Sequence, residues 1–220
     1  MKLVKKKLRD ILEDWPRNYI QDTDLAEIMG KSDEARYSAV NRAMTSGLLL
    51  RMKKGFYLIK SQIKRMLPDE FELAPLLYLP SFVSLESALS YHNWIPEAVR
   101  STTSVSPKRA QEFRTPLERF NYRRVPQKWF YGEVTRTQTR TGIRLVAEPW
   151  RALADYMYVT RKSWDNLEQL ELDMRIDFFT VMESDIESLK SVVQKYPSPR
   201  VRTILKRFLK EILKHLKGAK

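Results

Sequence analysis

The chain has 220 residues, no cysteine and a formal net charge of +13, from 40 lysines and arginines against 27 acidic residues. Without cysteine, disulfide scaffolds and Cys-ligated zinc or iron–sulfur sites are excluded. The hydrophobic fraction of 43% is ordinary for a folded protein, and the length allows one large domain or two small ones. The basic excess favours a polyanionic partner, namely nucleic acid, an anionic membrane or an acidic protein, although a merely soluble basic protein has the same charge.

The N-terminal residues do not have the pattern of a targeting segment. Acidic side chains interrupt the apolar positions after the first lysines, whereas a secretion signal continues with an unbroken apolar stretch. No apolar run approaches the roughly 20 residues that a membrane-spanning helix needs. The lack of cysteine also fits a reducing compartment. We therefore expect a cytoplasmic protein that does not bind membranes.

The first 60 residues predict three helices followed by a hairpin. Apolar residues at spacings of three and four predict a helix over residues 3–14 and a second one that ends at Gly30. A third helix follows at once, with Ser32 as its N-cap. Two helices joined by a tight glycine turn are typical of a helix-turn-helix. The strands LLLRM and FYLI, which flank the turn Lys53-Lys54-Gly55, predict the β-hairpin of a winged helix.

A helical wheel divides the third helix into two faces. One face carries Tyr37, Val40, Met44 and Gly47 and is expected to pack on the core. The opposite face is polar and cationic, which suits a major groove because asparagine can pair with adenine and arginine with guanine. The wing would add phosphate contacts. The expected DNA-binding residues are Ser32, Arg36, Ser38, Asn41, Arg42, Thr45, Arg51, Lys53 and Lys54.

The same pattern permits two other interpretations of the first 60 residues. The polar face of the third helix would also suit plain solvation beside a basic turn. Winged helices also serve as protein-interaction modules, which would bind DNA weakly and without sequence preference.

Residues 61–80 are predicted to form a connector with one helix, because prolines divide this segment. Residues 81–220 predict a C-terminal domain in which alternating residues over 99–146 indicate strands. The expected fold class is α+β: a winged helix-turn-helix domain over residues 1–60, then a mixed α/β domain with a short, largely antiparallel sheet and a helical end. The helices of that domain are expected at 149–159, 164–172, 184–195 and from 199 onwards.

Charge is distributed in blocks along the chain. Residues 100–144 carry eleven bases against three acids, whereas residues 165–187 carry eight acids against one base. In the basic block, strand alternation places Phe120 and Tyr122 towards the core and the neighbouring arginines on the other face. That face would contact phosphates beyond the winged helix, hold RNA by stacking, or simply be solvated. The candidate second basic surface consists of Arg109, Arg114, Arg119, Arg123 and Arg124.

The last segment, PRVRTILKRFLKEILKHLK, predicts a long amphipathic helix. It would pack on its own domain, pair with a second subunit, or lie on an anionic membrane. Self-packing is the commonest of these arrangements, because a soluble protein avoids exposing so many leucines.

The residues do not point to an enzyme. His92 and His215 are the only histidines, and neither has a partner at metal-binding spacing. The six glycines never form a phosphate-binding loop. We expect no catalytic residue, metal or cofactor, although a carboxylate-rich nuclease site stays open because it needs only scattered acids and lysines.

The order of these segments resembles a known family. GLLLRMKKGFYLI is followed by PSFVSLESALSYHNWIPEAVRSTTSVSPKRAQEFRTPLERFNYRRVP and then RLVAEPWRALADYMYV. This order resembles the AbiEi antitoxins of type IV toxin–antitoxin systems over roughly residues 5–160. The most specific part runs from Val83 to Val125. The chain departs from the family pattern at Glu148-Pro149-Trp150, where a Thr-Pro-Glu-like helix start is expected.

The resemblance implies a function that residue spacing cannot give. Such antitoxins act in abortive infection, a phage defence, against a nucleotidyltransferase-like toxin without forming a stable complex with it. They repress their own promoter through the N-terminal domain, which binds inverted repeats in double-stranded DNA as a monomer or DNA-assisted dimer. The motif positions that correspond are the third helix, the wing from Lys53 to Tyr57 and the segment Ser84–Pro96. A stand-alone regulator, an RNA-binding protein and a nuclease subunit remain the alternatives.

Overall fold

The structure is a computed structural model that describes residues 7–30, 32–65, 68–96, 100–177, 181 and 186–218. Helices and strands are mixed along these ranges, which confirms the expected α+β class. In chain order the elements are α1 (Leu8–Glu13), β1 (Tyr19–Gln21), α2 (Asp22–Met29), α3 (Asp33–Thr45), β2 (Leu49–Lys53), β3 (Phe56–Ile59), α4 (Lys60–Arg65), α5 (Glu70–Leu77), β4 (Phe82–Val83), α6 (Leu85–Tyr91), β5 (Thr102–Ser106), β6 (Gln111–Arg114), β7 (Arg119–Arg124), β8 (Val134–Gln138), β9 (Ile143–Ala147), α7 (Pro149–Thr160), α8 (Leu167–Met174), α9 (Ile186–Lys195) and α10 (Pro199–Gly218).

The N-terminal part packs three helices on a small antiparallel sheet. Its strand order is β1-β3-β2, so β3 is the central strand. Glycine ends α2 as expected, since Gly30 has a left-handed φ of 50° that other residues adopt at a cost. Strand β1 was not predicted, because it is only three residues long and owes its conformation to pairing with β3. The buried residues of this core are Leu12, Ile20, Leu25, Val40, Ala43, Leu49, Tyr57 and Ile59.

The C-terminal part is built on a six-stranded sheet of order β6-β7-β5-β4-β9-β8. The pairs β4–β5, β6–β7 and β8–β9 are antiparallel, whereas β4–β9 and β5–β7 are parallel. The sheet is therefore mixed, where a largely antiparallel one was expected. The difference arises from two pairs between strands that are not consecutive: β4, which has only two residues, is parallel to β9, and β5 is parallel to β7.

Helices cover both faces of this sheet. Tyr122 of β7 donates from its phenol to the carbonyl oxygen of Ala74 in α5, at 2.7 Å. Thr103 of β5 lies next to Asn121 in register, and its hydroxyl accepts from the backbone N–H of Ser87 in α6. Since neighbouring residues of a strand point to opposite faces, α5 and α6 pack on opposite sides. The segment 61–80 therefore contains most of α4 and the whole of α5, where one helix was expected. Helix α5 packs on the sheet of the C-terminal part.

The amphipathic helix α10 buries its apolar face within the C-terminal part. It packs on α9 and α7. Of the three arrangements that the sequence left open, self-packing is the one observed. Over the described ranges no helix combines the length and the apolar character needed to cross a membrane. The side chains of α10 that are buried are Val201, Ile204, Leu205, Phe208 and Ile212.

A buried ion pair holds the C-terminal helices to the sheet. Arg151 of α7 donates from Nε to both carboxylate oxygens of Asp155 at 3.1 Å, and the side chains are 2% and 0% exposed. The hydroxyls of Ser84 and Tyr196 each donate to the same carboxylate at 2.9 Å. Arg151 also donates to the carbonyl oxygen of Gly132 at 2.6 Å. This network satisfies both charges, which burial would otherwise penalise.

We predict that Asp155→Ala lowers the free energy of unfolding by about 3–5 kcal/mol, because it leaves the guanidinium of Arg151 buried without its counter-charge. Urea unfolding followed by circular dichroism measures the change. Asp165→Ala is the control, since it removes an exposed ion pair with Arg207 in the same part of the chain and is expected to cost about 0–1 kcal/mol. Equal losses in the two variants would contradict the central role of the buried pair.

Candidate nucleic-acid interface

Helix α3 exposes a continuous polar surface, which we name the α3 ridge. Its opposite side is fixed in the core by Ala39, Val40 and Ala43, all buried. The ridge side chains therefore face solvent, with Asn41 half-buried among them. This arrangement leaves a helical surface open to a large partner. The α3 ridge consists of Glu34, Tyr37, Ser38, Asn41, Arg42 and Thr45.

Tyr37 belongs to this ridge, although the helical wheel placed it on the core side. It is 69% exposed. The helical wheel assigns the core side from the large side chains alone. In the structure, the buried stripe consists of Val40 and the alanines at 39 and 43. The packed side of α3 is therefore rotated away from Tyr37. Its spacing to Asn41 and Thr45, four and eight residues, was the signal that could have revealed its place on the ridge.

The N-terminal turn of α3 is organised by local contacts. Ser32 is the N-cap as predicted, and its hydroxyl accepts from the backbone N–H of Ala35 at 3.4 Å. Arg36 forms an ion pair with Asp33, whose side chain is 92% exposed. The side chain of Arg36 itself is only 23% exposed, so this predicted DNA-binding residue is largely withdrawn from the open surface of α3.

The β2–β3 hairpin beside α3 presents two of its three cations to solvent. Arg51 and Lys54 are exposed, and neither forms a hydrogen bond or ion pair with any part of the chain that the structure describes. Gly55 follows in the turn with a φ of 77°. This left-handed conformation favours glycine, which has no Cβ. The backbone N–H of Asp22 donates to the carbonyl oxygen of Gly55 at 3.0 Å, which holds the hairpin turn against the start of α2.

Lys53 departs from the prediction, because it turns away from the hairpin tip. Its ammonium donates to the carbonyl oxygen of Leu77 at 2.5 Å and lies 5.7 Å from the ring centre of Phe113. A β-bulge between Arg51 and Lys53 shifts the register there, and such bulges re-aim a side chain. Burial, and secondarily the charge of Lys108, lowers the pKa of Lys53. Lys53 therefore joins the hairpin to the C-terminal part and is removed from the expected phosphate contacts.

Apolar packing strengthens this junction. Met52, Phe56 and Leu58 of the hairpin lie in the same buried cluster as the core of the C-terminal part. The hairpin is consequently held from both sides, by the N-terminal core and by the larger one. The hairpin beside the α3 ridge is therefore anchored in both buried clusters.

The second basic surface is only partly assembled on one face. Phe120 and Tyr122 are buried as the alternation of β7 requires. Arg119 of β7 lies opposite Arg114 of β6 in the strand register. Nε of Arg114 donates to the carboxylate of Glu112 at 2.7 Å, and this hydrogen bond lowers the pKa of Glu112. Together with Arg123 and Arg124 these cations line the β6–β7 end of the sheet. Arg109 lies apart, in the turn before β6, where its carbonyl accepts from Tyr78 at 3.1 Å.

Both histidines lie away from the α3 ridge, His92 at the C-cap of α6 and His215 in the last turn of α10. Nε2 of His92 is hydrogen-bonded to the carbonyl oxygen of Ala147 at 3.0 Å. Within the described ranges, no three His, Asp or Glu residues lie close enough together to hold a metal ion.

Comparison with known proteins assigns no family to this chain. No protein-family model and no curated protein sequence matches this chain. Among solved structures, the crystal structure of the Rv2827c protein from Mycobacterium tuberculosis is similar with a TM-score of 0.40 and 12% sequence identity. The similarity covers 92% of this chain and 80% of that one. A likeness at this level assigns neither a family nor a function to the chain.

We predict that Lys53→Ala lowers the free energy of unfolding by about 1–2 kcal/mol, because it leaves the carbonyl of Leu77 without its donor. Lys54→Ala is the matched control and should change it by no more than about 0.5 kcal/mol, since Lys54 is an exposed turn residue. Thermal and urea unfolding of both variants measures the difference. A stable Lys53→Ala together with a destabilised Lys54→Ala would reverse our assignment of the two lysines.

Proposed function

We propose that this protein is a DNA-binding antitoxin of the AbiEi type, which represses its own promoter and counteracts a nucleotidyltransferase-like toxin. The DNA-binding half of the proposal depends on one observation. The α3 ridge is open to solvent along the whole helix, while Ala39, Val40 and Ala43 hold its other side in the core. A ridge buried against the rest of the chain would have left no surface for a groove.

The order of elements supports a winged helix-turn-helix. Helices α2 and α3 are joined through Gly30, and the β2–β3 hairpin follows α3 directly. In that motif the second helix enters the major groove and the hairpin lies over the sugar–phosphate backbone. The α3 ridge and the cations of the hairpin, Arg51 and Lys54, lie on the two elements to which the proposal gives those roles.

The side chains of the ridge divide into base readers and phosphate contacts. Asn41 and Arg42 have the donor and acceptor groups that pair with adenine and guanine. Ser38 and Thr45 suit either base edges or phosphate, and Tyr37 adds an aromatic hydroxyl. Arg51 and Lys54 would contact phosphates, which strengthens binding without regard to sequence. Repression then follows from occupancy, because a protein bound at the promoter excludes transcription.

The antitoxin half of the proposal is supported by the resemblance of the segment around Ser84–Pro96. Its test is genetic: the neighbouring genes are searched for a nucleotidyltransferase-like reading frame, which is expressed alone and together with this chain while growth is measured. We expect co-expression to restore growth, and we expect no toxin to co-purify, in keeping with neutralisation without a stable complex. Growth arrest that persists on co-expression would reduce the proposal to a stand-alone regulator.

We predict that Arg42→Ala relaxes sequence preference at one or two base pairs of the operator, at a cost of about 1–3 kcal/mol on the preferred site. Fluorescence anisotropy with the selected operator and with random duplexes measures it. Arg136→Ala is the matched control. Arg136 lies in β8, which is one edge of the six-stranded sheet, whereas β6, the other edge, is the strand that contacts the hairpin. Equal losses on operator and random DNA would remove Arg42 from base reading.

We predict that the double variant Arg51→Ala, Lys54→Ala weakens binding to all duplexes and flattens the dependence of log K on log salt by about 1–2, because up to two phosphate contacts are lost. Titration of one duplex at several salt concentrations gives the slope. Lys53→Ala should leave that slope unchanged, since its ammonium is bonded to Leu77. A slope that falls for Lys53→Ala alone would restore Lys53 to the contact set.

A further inference from the structure

A groove at the ends of β7 and α7 gathers three arginines that the DNA-binding proposal does not use. Arg123 and Arg124 end β7, and Arg161 is the C-cap of α7. These residues line one cavity of about 630 Å³. Its walls also include Tyr158 and Pro126. We name this cavity the arginine groove.

The three arginine side chains form no hydrogen bond or ion pair within the described ranges, although the charge of Arg123 contributes to lowering the pKa of Glu112. All three are exposed. By contrast, Arg151, Arg200 and Arg207 are each engaged with neighbouring groups. Like charges that line one cavity repel each other, so a bound anion would relieve an unfavourable arrangement.

The end of α7 does not oppose an anion here, although a helix C-terminus carries partial negative charge. Arg200 donates to the carbonyl oxygen of Met157 at 2.5 Å and to that of Lys162 at 2.9 Å. The hydroxyl of Thr160 donates to the carbonyl of Tyr156 at 2.7 Å. These contacts satisfy carbonyls in and just beyond the last turn of α7 and add a fourth cation near the arginine groove.

The shape of the groove favours a small ligand over a nucleic-acid strand. A volume of about 630 Å³ lies within the roughly 300–1,000 Å³ that small-molecule sites occupy. The arginine groove is bounded by two elements, the end of β7 and the end of α7. Its lining combines guanidiniums, which bind phosphates bidentately, with the ring of Tyr158 and two prolines. Such a pairing of cations and flat apolar walls matches a nucleotide.

We propose that the arginine groove binds a nucleotide carrying two or more phosphates, with Arg123, Arg124 and Arg161 on the phosphates and Tyr158 beside the base. This site is independent of the α3 ridge, which belongs to other elements of the fold. The protein would therefore have a nucleotide site in addition to its DNA surface.

The test measures ATP binding to the full chain by isothermal titration calorimetry at physiological salt without added metal. We expect saturable binding at one site, weaker binding of tripolyphosphate and none of adenosine. Arg123→Ala and Arg161→Gly should each weaken ATP by about tenfold or more, because each removes a charge-assisted contact. Arg136→Ala removes an equal charge elsewhere and should leave ATP affinity unchanged.

Arg161→Gly separates binding from folding. Arg161 has a φ of 64°, a left-handed conformation that glycine adopts without cost. Its melting temperature should therefore equal or exceed that of the original chain while ATP binding is lost. Duplex DNA affinity should be retained in the same variant, so that failure of this site and failure of the DNA-binding proposal give different results.

Three outcomes would overturn the nucleotide site. The first is the absence of saturable ATP binding up to millimolar concentration. The second is tight binding of a single-stranded RNA or DNA oligonucleotide by the same arginines without binding of ATP, which would assign the groove to a strand. The third is an equal loss in Arg136→Ala and Arg161→Gly, which would attribute binding to net charge alone.

Discussion

The burial of one side of α3 is the constraint on which the account depends. Ala39 and Ala43 are small enough to let the helix approach its neighbours closely, and Val40 fills the space between them. Burying Val40 contributes about 1.5–3 kcal/mol, which fixes the rotation of the helix. Because that rotation is fixed, Tyr37, Asn41 and the other ridge residues must face outwards. The chemistry of the ridge is thus a consequence of three small apolar residues behind it.

The β2–β3 hairpin shows how the same segment serves two purposes. Lys53 and the apolar residues Met52 and Phe56 hold the hairpin against the C-terminal part, whereas Arg51 and Lys54 stay in solvent. One cation of the hairpin thus holds the position of the other two, which the proposal assigns to phosphate contacts. A supported hairpin loses less conformational freedom on binding, so more of its contact energy remains as affinity.

Local signals in the sequence identified much of this fold, and non-local pairing explains what they missed. Ser32 and Gly30 mark helix ends through their own chemistry, and the alternation around Phe120 reflects a strand with one buried face. The strands β1 and β4 are too short to carry a pattern and exist because partners pair with them. Lys53 could not be assigned because its acceptor lies 24 residues away. The arginine groove likewise unites Arg124 with Arg161, which only the folded chain brings together.

Base-specific interference in the operator tests the central claim most directly. Guanines methylated at N7 lose an acceptor in the major groove, so a helix that reads that groove cannot tolerate them at contacted positions. The account predicts that methylation at one or two guanines per half-site abolishes binding of the original chain and has no further effect on Arg42→Ala. Binding that is indifferent to N7 methylation, but sensitive to methylation of adenine N3 in the minor groove, would contradict entry of α3 into the major groove.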